Sequence, residues 1–131
     1  MNSQNQIKIA DFGVSRKMKK KKLIYEHIGT PAYLAPEIIA ENGYSDFKAD
    51  VWSLGILAFI ALTGMVPFKG ESIKELNENI LTKEIDYENP RLSLSDTMKY
   101  ILSKMLIKNP KKRISLKKVA EILKFSLKTE L

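Results

Sequence analysis

Residues 50–62 read Asp-Val-Trp-Ser-Leu-Gly-Ile-Leu-Ala-Phe-Ile-Ala-Leu. The residues in this stretch that are not apolar are Asp50, Ser53 and Gly55. A helix without a polar face must lie in a protein core or in a membrane. A membrane span needs about 20 residues, so this stretch is too short to cross a bilayer. We therefore expect it to form the buried central helix of a helical domain, and we expect Thr63-Gly64 and Pro67 to end it.

The composition limits the classes of protein that the chain can form. Its 131 residues suit one domain, and a hydrophobic fraction of 44% is enough for a core. The absence of cysteine excludes disulfides and thiolate metal sites, and a single histidine, His27, excludes a multi-histidine metal site. No secretory or membrane-spanning run is present, which favours a soluble protein of the cytoplasm, with the nucleus as the alternative.

The formal net charge of +7 is concentrated in two basic clusters, at residues 16–22 and 108–118. Basic clusters can bind phosphate backbones or acidic surfaces. Neither cluster interleaves aromatic residues for base stacking, and neither resembles a groove-reading motif. We interpret both as solvated surface, so we expect no nucleic-acid partner and no membrane partner.

The rest of the chain is predicted to be mostly helical. Alternation at residues 7–10 predicts a short strand, residues 14–16 a second short strand, and residues 17–31 a long loop. A short helix is expected at residues 33–41, with Pro36 in its first turn. Downstream helices begin at Ser72, where Glu75 completes a capping box, and after Ser95 and Ser115. The predicted fold is mainly α, with one or two short N-terminal strands and about five helices.

Four motifs occur in order along the chain. They are Asp11-Phe12-Gly13, the run Gly29-Thr30-Pro31-Ala32-Tyr33-Leu34, Ala35-Pro36-Glu37, and residues 50–55. Together they resemble the C-terminal lobe of eukaryotic protein kinases over about residues 7–125. The form of residues 29–37 is typical of serine/threonine kinases, and residues 62–64, 67–70 and 109–115 are most similar to the calcium/calmodulin-dependent group.

The resemblance implies a domain organisation. Residues 1–131 would be a partial kinase domain, with the activation segment at residues 7–37 and a helical subdomain at residues 38–125. The N-terminal lobe and the catalytic loop would be absent, because the ten residues before Asp11 contain no glycine-rich loop, no strand lysine and no His-Arg-Asp loop. We therefore expect the chain to begin part-way through a kinase domain.

The resemblance also assigns roles to the activation segment. Asp11 would hold Mg²⁺ against the phosphates of ATP, with Phe12 reporting active or inactive geometry and Gly13 giving the loop its freedom. Thr30 would tie the segment that receives the peptide to the catalytic aspartate. The partner of this segment would be a protein substrate.

Three further residues would support the site. Glu37 and Arg113 fall where the family places a buried ion pair. Asp50 has two interpretations. It could simply cap the central helix, or it could accept hydrogen bonds from the catalytic-loop backbone, as the family implies and as we favour.

The loop carries two regulatory candidates, Glu26 and Tyr25. Glu26 lies four residues before Thr30, where many kinases carry a phosphorylatable hydroxyl, so its carboxylate could act as a permanent substitute for a phosphate. The alternative is an ordinary exposed loop glutamate.

Two functions follow from these observations. In the first, the parent enzyme transfers the γ-phosphate of ATP to protein serine or threonine hydroxyls, and the 131 residues alone neither bind ATP nor transfer phosphate. In the second, the chain is a catalytically dead module that binds a regulatory protein through the helix beginning at Ser72. In either case we expect Ile7 and Ile9 to leave an exposed, association-prone edge.

Overall fold

The computed structural model describes residues 7–17, 29–41, 47–89 and 91–129. These residues form a 3-10 helix, Pro31–Tyr33, and five α-helices. The α-helices are α1, Pro36–Ile39; α2, Lys48–Thr63; α3, Ile73–Thr82; α4, Asp96–Met105; and α5, Leu116–Thr129. The predicted mainly-α fold is confirmed. No helix in the described ranges combines the length and the apolar character that a membrane crossing requires.

Helix α2 is the element around which the others pack. Its Trp52 and Ile56 side chains are almost completely buried, and the Trp52 ring stacks on Phe68 with a centroid distance of 6.0 Å. The helix ends as predicted at Gly64, which adopts a left-handed conformation with φ of 69° and donates its N–H to the Ile60 carbonyl at 2.8 Å. A residue without a Cβ takes this conformation at no steric cost.

Three groups of apolar side chains fill the space around α2. The first joins α2 to the 3-10 helix, α1 and α3, the second joins it to α4 and α5, and the third lies between α2, α4 and the chain before α4. Their most buried members are Trp52, Ile56 and Ile80 in the first group, Val51, Ile101 and Met105 in the second, and Phe59 and Leu102 in the third.

The expectation that α2 has no exposed face is wrong. Leu54, Leu57 and Leu62 are 43%, 52% and 48% exposed, and Phe47, just before the helix, is 64% exposed. We call these four residues the α2 stripe. The other helices cover the opposite side of α2, and about half of the surface of the stripe is exposed among the described residues. Composition reports how apolar a helix is, but burial depends on which neighbours are present.

Serine hydroxyls begin three of the helices, as predicted. Ser72 accepts from the Glu75 amide at 3.1 Å, Ser95 from the Met98 amide, and Ser115 from the Lys118 amide, the last two at 3.3 Å. The capping box of α3 differs in one detail. The Glu75 carboxylate accepts from the amide of Glu71, at 2.8 Å, instead of from that of Ser72.

The predicted helix at residues 33–41 is divided in two. Ala35 is extended, with ψ of 149°, because the ring of Pro36 disfavours helical conformation in the residue before it. The 3-10 helix therefore ends at Tyr33, and α1 begins at Pro36.

The two predicted N-terminal strands are also wrong for the described residues. Ile7 and Ile9 are 82% and 84% exposed, and residues 12–15 form a turn in which the Ser15 amide donates to the Phe12 carbonyl at 3.0 Å. A strand needs a neighbouring strand, and no strand is present among the residues that the structure describes. Ile7 and Ile9 are exposed as expected, and their tendency to associate stays a prediction.

Replacement of Gly70 by alanine tests the packing of the loop before α3. An added Cβ would lie 2.4 Å from the backbone nitrogen of Leu76 and 2.8 Å from its Cα. Because backbone cannot move aside as a side chain can, we expect Gly70→Ala to lower the free energy of unfolding by about 3 kcal/mol in urea denaturation. Lys74→Ala, on the exposed face of α3, should stay within about 0.5 kcal/mol of the wild type. Equal stability of the two variants would contradict the close approach.

Candidate functional site

The guanidinium of Arg113 lies at the point where α1, α2 and the loop after α4 meet. Its side chain is fully buried, and all five of its N–H donors have an acceptor. Nη1 and Nη2 donate to the two Glu37 carboxylate oxygens at 2.7 and 2.8 Å. The remaining donors bind the backbone carbonyls of Lys48 at 2.6 Å, Ile107 at 2.9 Å and Lys108 at 3.1 Å.

The surroundings of this ion pair compensate for its burial. The guanidinium carbon of Arg113 lies 5.2 Å from the centre of the Trp52 ring, whose face attracts a cation. The Lys48 ammonium in turn donates to the Arg113 carbonyl. A buried ion pair is tolerated only when its remaining donors and acceptors are satisfied. Here every N–H donor of Arg113 has an acceptor. The structure thus brings together Glu37 and Arg113, which are 76 residues apart in sequence.

The segment that contains Thr30 lies directly before this ion pair. The Thr30 carbonyl accepts from the Tyr33 amide at 3.0 Å and begins the 3-10 helix, while the Thr30 side chain makes no capping hydrogen bond and is exposed. Tyr33 and Leu34 pack against the apolar group that includes Ile80 of α3. The Tyr33 carbonyl accepts from the Ser53 hydroxyl of α2 at 2.8 Å. The segment is therefore attached to the helical core, with Thr30 at its exposed end.

Asp11 forms a tight turn with the two residues that follow it. Its backbone is left-handed, with φ of 63°, a conformation that aspartate tolerates better than most residues. Its carboxylate accepts from the Gly13 amide at 3.3 Å, and Phe12 is 66% exposed. Among the described residues this tripeptide is an exposed turn.

The exposed carboxylate of Asp11 is one of the ligand types that a magnesium site uses. Mg²⁺ with a nucleotide is usually bound by one or two carboxylates, the phosphates and water. Asp11 supplies one such carboxylate, and the described ranges hold no group of three residues that could bind a metal by themselves. The role of Asp11 as a magnesium ligand stays a prediction.

Asp50 is the third residue of α2, and the capping position belongs to Phe47, so Asp50 does not cap the helix. Burial raises the pKa of the Asp50 carboxyl above its usual value of 3.8, and no hydrogen bond to it occurs within the described residues. Its position places it on the same side of α2 as Leu54 and Leu57. The proposed contact with a catalytic loop stays a prediction.

Lys108 is a structural residue that the sequence did not reveal. Its ammonium donates to the carbonyls of Ile80 at 2.8 Å and Lys83 at 2.5 Å, at the C-terminal end of α3, and lies 4.9 Å from the centre of the Phe68 ring. Burial lowers the pKa of Lys108. The interpretation of Lys108 as a solvated surface charge is therefore wrong, because backbone carbonyl acceptors leave no signature in a sequence. Lys111, Lys112, Lys117 and Lys118 are exposed as expected.

The regulatory candidates Tyr25 and Glu26, with His27, lie outside the described residues.

The comparisons with known proteins identify the family. Residues 1–124 match the family described as "Protein kinase domain", and the chain belongs to that family. Members of this family generally use ATP and Mg²⁺.

Its relatives are serine/threonine kinases. The chain is 38% identical over 122 residues to CBL-interacting serine/threonine-protein kinase 15 of Arabidopsis thaliana. The aligned residues make up 91% of this chain and 28% of that protein. It is 36% identical to CBL-interacting protein kinase 26 of Oryza sativa subsp. japonica, over 91% of this chain and 24% of that one. It is 39% identical to myosin light chain kinase family member 4 of Homo sapiens, over 84% and 28% of the two chains. The chain spans about a quarter of the length of these curated relatives.

Removal of one partner of the buried pair should be strongly destabilising. Glu37→Gln keeps the shape of the side chain but leaves the Arg113 charge buried without its counter-ion. We expect a loss of about 3–5 kcal/mol in the free energy of unfolding. The control is Glu121→Gln, which breaks the exposed Lys118–Glu121 contact at 3.2 Å and should cost at most about 0.5 kcal/mol. Similar losses for the two variants would show that the Glu37–Arg113 pair is not buried in solution.

Asp50→Asn should have a pH-dependent effect on stability. Since folding raises the pKa of Asp50, the folded state holds its proton more tightly than the unfolded chain, and ionisation disfavours the folded state. This cost is complete above the raised pKa and disappears below 3.8. We therefore expect the variant to melt at a higher temperature than the wild type at pH 7, with the difference vanishing as the pH falls below 3.8.

The control for this experiment is Asp96→Asn, in the exposed first turn of α4. There the negative carboxylate interacts favourably with the helix dipole. Its loss should therefore lower the free energy of unfolding at pH 7 by about 0.5 kcal/mol. A destabilising Asp50→Asn at pH 7 would indicate that Asp50 also acts mainly through the helix dipole.

Proposed function

We propose that the chain is the activation segment, residues 7–37, and the helical substrate-binding subdomain, residues 38–125, of a serine/threonine protein kinase. The complete enzyme transfers the γ-phosphate of ATP to serine or threonine hydroxyls of proteins, and its nearest group is the calcium/calmodulin-dependent one. The observation that carries the proposal is the buried, bidentate Glu37–Arg113 pair, because it fastens the end of the activation segment to the helical core in a member of the kinase family. We propose a cytoplasmic location for this enzyme, with the nucleus as the alternative.

Phosphoryl transfer depends on positioning and on electrostatic stabilisation of the phosphate oxygens. In this proposal Asp11 holds Mg²⁺, which when bound neutralises charge on the phosphates of ATP, and Phe12 and Gly13 set the position of Asp11. Thr30, exposed at the start of the 3-10 helix, meets the catalytic aspartate of the complete enzyme beside the peptide substrate. Tyr25 and Glu26 lie between Asp11 and Thr30 in the sequence and are candidates for regulation.

The α2 stripe supports the assignment to the C-terminal lobe. Leu54 and Leu57 leave an apolar face on the central helix, and the partly desolvated Asp50 carboxylate lies on the same side without a hydrogen bond among the described residues. Large apolar faces on soluble domains usually mark contact surfaces. The proposal assigns this face to the part of the kinase domain that carries the catalytic loop, with Asp50 accepting hydrogen bonds from that loop.

The second candidate is a catalytically dead kinase-like module that binds a regulatory protein through α3. Ile73 and Leu81 favour it, because they leave 64% and 38% of their surfaces exposed on that helix. A dead module would keep the fold and the partner but would lack ATP binding and phosphate transfer.

A chimeric enzyme separates the two candidates. The chain replaces the matching 122 residues of CBL-interacting serine/threonine-protein kinase 15, and transfer of phosphate from ATP to a generic serine peptide is measured. We expect the chimera to be active and the isolated 131-residue chain to be inactive and not to bind ATP. Asp11→Asn should lower kcat of the chimera by roughly 100-fold or more, because a metal ligand at the transferred phosphate is lost.

The control is Asp86→Asn. The Asp86 carboxylate makes the same kind of turn contact as Asp11, accepting from the amide two residues later at 3.0 Å, but Asp86 lies outside the four motifs. Its replacement should leave kcat within about twofold. A folded chimera that binds ATP but does not transfer phosphate would favour the dead module. Phosphate transfer by the isolated chain would refute the expected division of the domain.

A further inference from the structure

The Ser53 hydroxyl joins two elements that are otherwise held together by apolar contacts. It lies 2.8 Å from the Tyr33 carbonyl and 3.2 Å from the Ala49 carbonyl, four residues earlier in its own helix. A serine inside a helix commonly donates to the carbonyl four residues before it. Because a hydroxyl has one proton and Tyr33 is the nearer acceptor, the bond to the 3-10 helix is the main one.

The Tyr33 carbonyl needs this donor for a reason that lies in the sequence. In a 3-10 helix the carbonyl of one residue accepts from the amide three residues later, as Thr30 does from Tyr33 and Pro31 from Leu34. For the Tyr33 carbonyl, the amide three residues later would belong to Pro36, which has no N–H. Within the described residues no other backbone amide donates to Tyr33, so the Ser53 hydroxyl takes the place of the missing donor.

The bond fixes the position of the 3-10 helix along the axis of α2. Ser53 holds its last residue, while the Tyr33 amide holds the Thr30 carbonyl at 3.0 Å at its start. The Glu37–Arg113 pair fastens the chain four residues beyond Tyr33. Ser53 therefore helps to set the position of Thr30 relative to α2, because the short 3-10 helix connects the two.

We propose that Ser53 is a positioning residue for the protein substrate, acting through the Tyr33 carbonyl on the segment that carries Thr30. This inference rests on the proposed kinase function. Ser53 does not touch substrate, so its loss should weaken peptide capture and leave the transfer step and ATP binding unchanged.

The test uses the chimera described above and the 131-residue chain itself. Ser53→Ala in the chimera should raise KM for the peptide about fivefold to tenfold, with kcat and KM for ATP within twofold of the parent. In the chain it should accelerate hydrogen exchange of the Tyr33 and Leu34 amides by a similar factor. Ser53→Thr keeps the hydroxyl and should restore both values.

Ser103→Ala is the matched control. Ser103 is half-buried like Ser53, and its hydroxyl donates to the Tyr100 carbonyl of its own helix at 2.8 Å. It should change neither the peptide KM nor the exchange of the two amides.

The outcomes separate this inference from the function on which it rests. An active chimera whose peptide KM does not respond to Ser53→Ala, or responds equally to Ser103→Ala, would overturn the role of Ser53 and leave the kinase function in place. A chimera without activity in its unmutated form would overturn the proposed function and the role of Ser53 with it. Unchanged exchange of the Tyr33 and Leu34 amides in Ser53→Ala would also overturn the role, because the contact itself would be absent.

Discussion

The guanidinium of Arg113 fastens three separate parts of the chain at one buried point. It binds the Glu37 carboxylate of α1 and the Lys48 carbonyl at the start of α2, and its other bonds reach two carbonyls of the loop after α4. Such a charge is stable without water only if every donor is paired, so the three parts must keep their relative positions together. The part of the chain that carries Glu37 is therefore a fixed part of the helical core.

The same loop connects this point to α3. The Lys108 carbonyl accepts from Arg113, and the Lys108 ammonium binds the carbonyls at the C-terminal end of α3. One residue thus faces the ion pair with its backbone and α3 with its side chain. The segment before Glu37 is held in a different way, by Ser53 and by apolar contacts of Tyr33 and Leu34. No ion pair is found at this attachment among the described residues, and its exposed end carries Thr30. The proposed function gives this end the role of receiving a peptide.

Features with a local cause were predictable from the sequence. The serines that begin three helices and the glycine that ends α2 act on neighbouring residues, so their pattern is sufficient. The exposed side of α2 and the absence of strands among the described residues were not predictable, because both depend on which neighbours are present. The Glu37–Arg113 pair could be expected only from the family resemblance, as no local pattern joins residues 76 positions apart. Ser53 and Lys108 were missed because their acceptors are backbone carbonyls, which every residue has.

The most direct test of this account is the nuclear magnetic resonance spectrum of the arginine side chains in the 131-residue chain. Arg113, identified by the loss of its signals in Arg113→Lys, should show separately resolved Nε and Nη protons that exchange slowly with water, since each has a buried acceptor. Exposed Arg91 supplies the comparison. If the Arg113 protons instead exchange and average as fast as those of Arg91, the guanidinium is not held at five points, and the description of the core as assembled around it is wrong.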